Sequence, residues 1–152
     1  MFLFINSCRN NEITITIFSK DGKIKKTVKS DIAHKKSLAL NEIEKLLRSQ
    51  KVDIKKIEGI VCSRGQGNFS SVRAGVSIAN AFAWFLHIPI AEVFDTDVPS
   101  DKKDMENFLQ NSIAQGKVGR IIEPWYGKEP NITMKVPGIP PYRRAGGRQV
   151  MD

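Results

Sequence analysis

Arg64-Gly65-Gln66-Gly67-Asn68-Phe69-Ser70-Ser71-Val72-Arg73-Ala74-Gly75 joins a short apolar run to a long apolar segment through a loop that carries two glycines. Upstream, Ile57 to Cys62 reads Ile-Glu-Gly-Ile-Val-Cys, which has the length and character of a buried strand. Ser63 to Asn68 supplies small turn-forming residues, and Gly65 and Gly67 permit backbone angles that a side chain would forbid. Downstream, Val72, Val76, Ala79, Ala83 and Leu86 recur at three- and four-residue steps, with Ser70 or Ser71 placed to cap a helix. The order read from these residues is strand, glycine loop, helix.

Backbone N–H groups at a helix start attract anions, so the loop invites comparison with a phosphate cradle. Its spacing departs from both common phosphate fingerprints. No Gly-Lys-Ser/Thr follows the glycines, and Gly65, Gly67 and Gly75 do not make G-x-G-x-x-G. A tight structural turn is the expectation carried forward.

Working outward, Phe2 to Ile5 reads as a first strand, and Glu12 to Phe18 alternates Ile13, Ile15 and Ile17 with Thr14 and Thr16 in the manner of a half-buried strand. Lys20-Asp21-Gly22-Lys23 is a hairpin turn, with Ile24 to Val28 as the return strand. Residues 34–49 form an amphipathic helix that gathers Ala39, Ile43, Leu46 and Leu47 on one side. Residues 57–62, 70–87 and 89–94 follow as strand, helix and strand. Asp101 to Gln115 is a further helix with Met105, Phe108, Leu109 and Ile113 inward, and Val118 to Ile122 a short strand. A three-strand meander followed by helix, strand, helix, strand is an α/β ribonuclease H-like core with a mixed sheet and flanking helices.

The central stretch resembles the Gly-Pro-Gly-Ser-Phe-Thr-Gly-Leu-Arg-x-Gly signature of the bacterial TsaB (YeaZ) family, with Gly65, Gly67, Phe69, Arg73 and Gly75 at matching positions. Ala33-His34-Lys35-Lys36-Ser37-Leu38 and Ile43-Glu44-Lys45-Leu46-Leu47 are similar to that family's Ala-His-Ser helix ending in Leu-Leu. Val52 to Ile60 resembles its linker into the next strand, and Ala79 to Phe94 its apolar helix and following strand. The resemblance covers residues 1–95. It implies a lobe of the actin-like ATPase superfamily at 1–95, a reduced second lobe of helix plus strand at 96–136, and a Pro/Gly/Arg-rich tail at 137–152.

The departures carry chemistry. Gln66 stands where the family has proline, Asn68 for serine, Ser70 for threonine and Ser71 for glycine. At the first strand the family has Asp-Thr-Ser, whereas this chain has Asn6-Ser7-Cys8. In ATPases of this superfamily that aspartate places a metal ion on the phosphates, and an amide cannot supply the charge. ATP hydrolysis is therefore not expected.

Composition fits one small globular domain with an appendage: 152 residues, 41% hydrophobic, 26% charged and net charge +8. Two cysteines, Cys8 and Cys62, give no disulfide framework and suit reduced thiols in cytoplasm. Met1 to Ile5 is too short an apolar run for a signal peptide. Residues 74–91 lack charge but contain Ser77, Asn80, His87 and Pro89, so a helix buried on two faces is expected there rather than a membrane span.

Catalytic constellations are sparse. His34 and His87 are read as helix-start and helix-end residues, and neither makes the His-x-x-x-His pair with which the related TsaD holds its metal. Ser7, Ser37 and Cys62 show no partner base in the sequence. No catalytic residue, metal or cofactor is expected.

By resemblance, the chain is a noncatalytic scaffold that pairs with TsaD, or with a second copy of itself, in forming N6-threonylcarbamoyladenosine beside the tRNA anticodon. A TsaC-like enzyme would supply the threonylcarbamoyl adenylate and a TsaE-like ATPase would join the complex. The expected partner interface is His34, Leu38, Val72, Gly75, Ile78, Ala79 and Phe82. Arg143, Arg144 and Arg148 of the tail are candidate RNA contacts, although a solvated tail is the commoner meaning of such composition. Two alternatives are a small nucleotide-binding protein of the same fold and an RNA-binding protein that uses its basic tail.

Overall fold

The structure, a computed structural model, describes residues 1–9, 11–31 and 38–125, with Leu38 described by its backbone alone. Five strands, β1 (Phe2–Asn6), β2 (Glu12–Phe18), β3 (Ile24–Asp31), β4 (Gly59–Arg64) and β5 (Ile90–Phe94), make one sheet in the order β3-β2-β1-β4-β5. β1 to β3 form the antiparallel meander, while β4 and β5 run parallel to β1 through crossovers. Those crossovers are the helices α1 (Leu38–Ser49) and α2 (Phe69–Leu86), and α3 (Lys102–Ile113) follows β5.

β1 is the central strand and is buried along its whole length, so its alternating side chains serve two cores. Leu3 and Ile5 join Ile13, Ile15, Ile17, Ile60 and Cys62 beneath α1 and α2. Phe2 and Phe4 join Phe18, Val61, Ala91 and Leu109 beneath α3. The isoleucine–threonine alternation of β2 follows from this geometry: the isoleucines enter the larger core, while the Thr16 hydroxyl bonds across to the Thr27 hydroxyl of β3 at 2.9 Å on the other face. β3 is the sheet's edge, and Lys25, Lys26 and Lys29 keep it from pairing with another chain.

Several boundaries move from the sequence reading. β4 begins at Gly59 rather than Ile57, which instead ends a 3-10 turn (Ile54–Lys56) and still reaches the core at 2% exposure. The α2 cap is Asn68, whose Oδ1 accepts the Ser70 N–H at 3.2 Å, so neither Ser70 nor Ser71 caps the helix. The expected strand over 118–122 does not form. Lys117 makes an isolated bridge to Ile90, and the chain then crosses the β5 edge to reach α2. There the Asn80 amide holds the Ile122 backbone at both ends, with Nδ2 donating to its carbonyl at 2.8 Å and Oδ1 accepting its N–H at 2.9 Å. Ile122 is thereby buried in the larger core.

The segment expected as a reduced second lobe thus shares the first lobe's sheet as far as it is described: Leu109 packs with Phe2 and Phe4, and Ile24 N–H donates to Glu106 at 3.1 Å. His87 ends α2 as expected. It takes a left-handed φ of 53°, and Ile88 N–H returns to the Ala83 carbonyl at 3.1 Å in a Schellman arrangement. The tail at 137–152 lies outside the described residues.

Candidate functional site

The glycine loop is packed against the chain's own β1–β2 connection. Neither Gly65 nor Gly67 has a left-handed φ, so backbone freedom is not what these positions require. They require space. A Cβ at Gly67 would overlap the Cys8 carbonyl oxygen, and a Cβ at Gly75 would overlap Ser7 Oγ and sit 2.8 Å from Ser7 Cβ. The signature therefore lets the start of α2 close onto the end of β1, and the tight turn is the better description of the loop.

The signature's two large side chains lie outside this contact. Phe69 is exposed, and the Arg73 guanidinium stands 5.4 Å from its ring centre, one helical turn away on the surface of α2.

Asn6 sits where the first-strand acid was missed. Its Nδ2 donates to Asp95 Oδ1 at 2.6 Å and its Oδ1 accepts the Cys8 N–H at 2.9 Å, while Arg9 Nε lies 3.7 Å from the same Asp95 oxygen. Asp95 follows β5, so a carboxylate does stand beside the β1 terminus, contributed by another strand. It is paired with the Arg9 cation and accepts from Asn6, and the Asn6 amide is engaged at both ends. Residues so arranged do not fit a metal ion bridging protein to phosphates at β1. Among the described residues no group of three or more His, Cys, Asp or Glu is arranged to hold a metal.

Of the candidate nucleophiles Cys62 and Ser7 are sequestered, and Ser37 lies outside the described residues. Burial pushes the Cys62 thiol far above its ordinary range, with the Cys8 thiol and the Glu92 carboxylate adding to the effect. Burial raises Cys8 as well, opposed by its hydrogen bond with Ser63 and reinforced by Asp95. Ser7 Oγ is buried without a hydrogen-bond partner, wedged against Gly75.

The expected partner interface divides in two. Val72, Gly75 and Ala79 lie on the buried side of α2, facing the sheet, and are unavailable to a partner as folded. Ile78 and Phe82 are partly buried at the flank of the same core. His34 lies outside the described residues, as do the side chain of Leu38 and Arg143, Arg144 and Arg148. Absent from that expected set is the outward row of α2: Ala74, Ser77, Ala81, Trp84 and Phe85 are exposed, the last two at 76% and 68%. Ile121, 75% exposed, is brought toward this row because Asn80, which grips Ile122, stands one turn before Trp84. A helical wheel centred opposite Val72 and Ala79 would have found Trp84 and Phe85; nothing in the sequence signalled the Asn80 clamp.

The family model described as "TsaD: tRNA N6-adenosine threonylcarbamoyltransferase" matches residues 28–106, just over half of the chain, and runs from within β3 through the glycine loop into α3. The chain belongs to this TsaD family. Among solved structures it is similar to YeaZ from Pseudomonas aeruginosa, with a TM-score of 0.57 and 19% identity over 64% of this chain and 45% of that one. A second structure, described as an uncharacterized protein with similarity to peptidase YEAZ from Pseudomonas aeruginosa, aligns with the same TM-score and identity over 64% of this chain and 44% of that one. At such identity the likeness speaks for the fold, a ribonuclease H-like sheet of the actin-like ATPase type. The TsaD-family chain described here spans less than half the length of either structure. No curated protein matches. No helix among the described residues is long and apolar enough to cross a membrane.

Proposed function

We propose that this chain is a noncatalytic partner of a TsaD-type transferase in forming N6-threonylcarbamoyladenosine at the tRNA adenine beside the anticodon, and that it docks through the outward row of α2. The observation that carries this reading is that row itself. Beyond Arg73 near the helix start, Ala74, Ser77, Ala81, Trp84 and Phe85 present an uncharged surface with small residues where another helix can approach and two large rings to anchor it. Fully burying each ring is worth roughly 1.5–3 kcal/mol before the costs of association. Membership of the family supplies the reaction. A noncatalytic role is supported by the protonated, buried thiols and by Ser7, which has no base beside it. A cytoplasmic setting, a second copy of the chain as an alternative occupant of the α2 surface, a TsaE-like ATPase in the complex, and tRNA contact by Arg143, Arg144 and Arg148 belong to the same proposal.

The test is co-purification of the chain with the TsaD-type protein of the same source, followed by mass measurement on a sizing column. A one-to-one species is expected, lost on Ala81→Arg or Phe85→Asp while each variant keeps its far-ultraviolet spectrum. Separate elution of the unaltered chain across salt and tRNA conditions would overturn the proposal.

A second reading, nucleotide binding without metal, is favoured by a groove of about 320 Å3 over the α3 side of β1 to β3, lined by Arg9, Lys29, Lys102 and the hydroxyls of Thr14, Thr16 and Thr27. Magnesium-independent ATP binding that weakens on Lys29→Glu would support it; no binding would dismiss it.

A further inference from the structure

On the docking reading above, one charge on the α2 surface specifies what the partner must carry. Arg73 is the only charged side chain of α2. It is exposed, and Ser77, Ala81 and Trp84 follow it at i+4, i+8 and i+11, so it belongs to the same outward row. Residues 73–85 span about 18 Å of helix, and a partner helix laid along Trp84, Ala81 and Ser77 meets Arg73 at its next step.

Arg73 differs from every other arginine among the described residues. Arg9 pairs with Asp95, Arg48 with Glu44, and both Arg64 and Arg120 with Glu92. Arg73 instead meets the Phe69 ring, 5.4 Å from its centre, and forms no ion pair among the described residues. A ring beside a guanidinium steadies it without consuming its N–H donors. Nor does α2 neutralise this end locally. Its first turn holds no acidic residue, so the positive partial charge of the helix start reinforces that of Arg73. The row is cationic where it begins and uncharged at Trp84 and Phe85.

Covering the cationic end has a definite electrostatic requirement. A helix that displaces water from Arg73 without offering a counter-charge leaves a desolvated cation, which opposes binding. A carboxylate in the same place accepts two parallel N–H···O bonds from the guanidinium and fixes the register of the pair. We propose that Arg73 selects the docking partner, accepting a TsaD-type helix that places an aspartate or glutamate opposite it and rejecting helices that are apolar or basic there.

The test measures, by calorimetry, the affinity of the full chain for the TsaD-type protein of the same source, with Arg73→Gln, Arg73→Lys and Arg73→Glu. Arg73 is exposed, so each variant should keep the urea midpoint of the unaltered chain, which is checked first. Arg73→Gln should weaken binding about thirtyfold or more, the scale of leaving a partner's charge covered and unpaired. Arg73→Glu should weaken it further, and Arg73→Lys should fall between the unaltered chain and Arg73→Gln, because an ammonium cannot make the two-bond pairing. The exposed aspartates and glutamates of the TsaD-type protein are then changed to arginine one at a time. One such variant should bind the Arg73→Glu chain about tenfold or more tighter than the unaltered transferase does. If Phe85→Asp abolishes the complex while Arg73→Gln binds within about fivefold of the unaltered chain, the scale of a solvent-exposed pair, the docking surface stands and the inference is overturned. It is overturned too if no exchanged charge restores binding to Arg73→Glu. If Phe85→Asp and Ala81→Arg bind as tightly as the unaltered chain, the docking reading has failed and the inference with it.

Discussion

Substituting Gly75 by alanine isolates the steric demand behind the signature. The added Cβ would overlap Ser7 Oγ and lie 2.8 Å from Ser7 Cβ, and Ser7 has no room to withdraw because it is 1% exposed at the end of β1. Forcing a methyl into such a contact costs about 1–3 kcal/mol. An overlap of this depth with Ser7 Oγ belongs to the upper part of that range, about 2–3 kcal/mol, and alanine's better helix propensity returns about 1 kcal/mol, so a net loss of roughly 1–2 kcal/mol is expected. Ser7→Ala alone removes a buried hydroxyl that has no partner and should be neutral or stabilising by about 1 kcal/mol. Ser7→Gly clears both clashing atoms, so Gly75→Ala made in that background should cost nothing and can gain the propensity term. Urea unfolding followed by far-ultraviolet circular dichroism reads all four corners of this cycle, with unchanged m values as the control. A Gly75→Ala midpoint equal to wild type, or the same loss with and without Ser7→Gly, would refute the packing explanation.

Ala79→Arg should prevent folding, because position 79 is fully buried, whereas Ala81→Arg should leave urea stability within about 0.5 kcal/mol of wild type; equal stabilities would show that α2 is rotated from the orientation described. Asn80→Ala should cost about 1–3 kcal/mol by stranding the Ile122 N–H and carbonyl, with amide exchange rising at Ile122 and not in β4. Both thiols should resist a disulfide reagent until urea exposes them. Their folded pKa values lie above that of the unfolded chain, so the contribution they make is complete at neutral pH. Stability should then fall as pH rises past about 9, where unfolded thiols ionise first; a flat denaturation midpoint through that range would contradict the burial of Cys62.

The sheet and helices were legible because their periodicities are clean. Ile13, Ile15 and Ile17 announce one buried face, and Val72, Val76, Ala79 and Ala83 announce another. Their partners across space were not legible. Glycine at position 75 reads equally as flexibility, a phosphate contact or a close approach, and only Ser7, 68 positions earlier in the chain, decides among them. The same limit put buried residues into the expected interface. An apolar helix whose one charge is Arg73 has a buried side and an outer side that look alike in composition, so the sequence groups Val72 and Ala79 with Ile78 and Phe82 although the sheet claims the first pair. The strand expected at 118–122 failed for a related reason: Val118, Ile121 and Ile122 have strand propensity, but Asn80 captures the backbone that a strand would have offered to β5.

Helix geometry ties the glycine signature to the proposed docking surface. A helix turns about 100° per residue, so a residue nine positions on points to the opposite side. Gly75 faces Ser7, and nine positions later Trp84 faces solvent. The contact at Gly75 therefore fixes the azimuth of α2, and the azimuth determines which side chains remain outside. If a bulky residue at position 75 rolled the helix by even one position, Trp84 would swing toward the strap around Ile122 and Ala74 and Ala81 would shift off the centre of the outer row. Loss of partner binding in a Gly75 variant that urea unfolding shows to be almost wholly folded under the binding conditions would separate this positioning role from simple stability, because a small unfolded fraction cannot by itself abolish binding; Ser7→Gly should then restore binding and midpoint together.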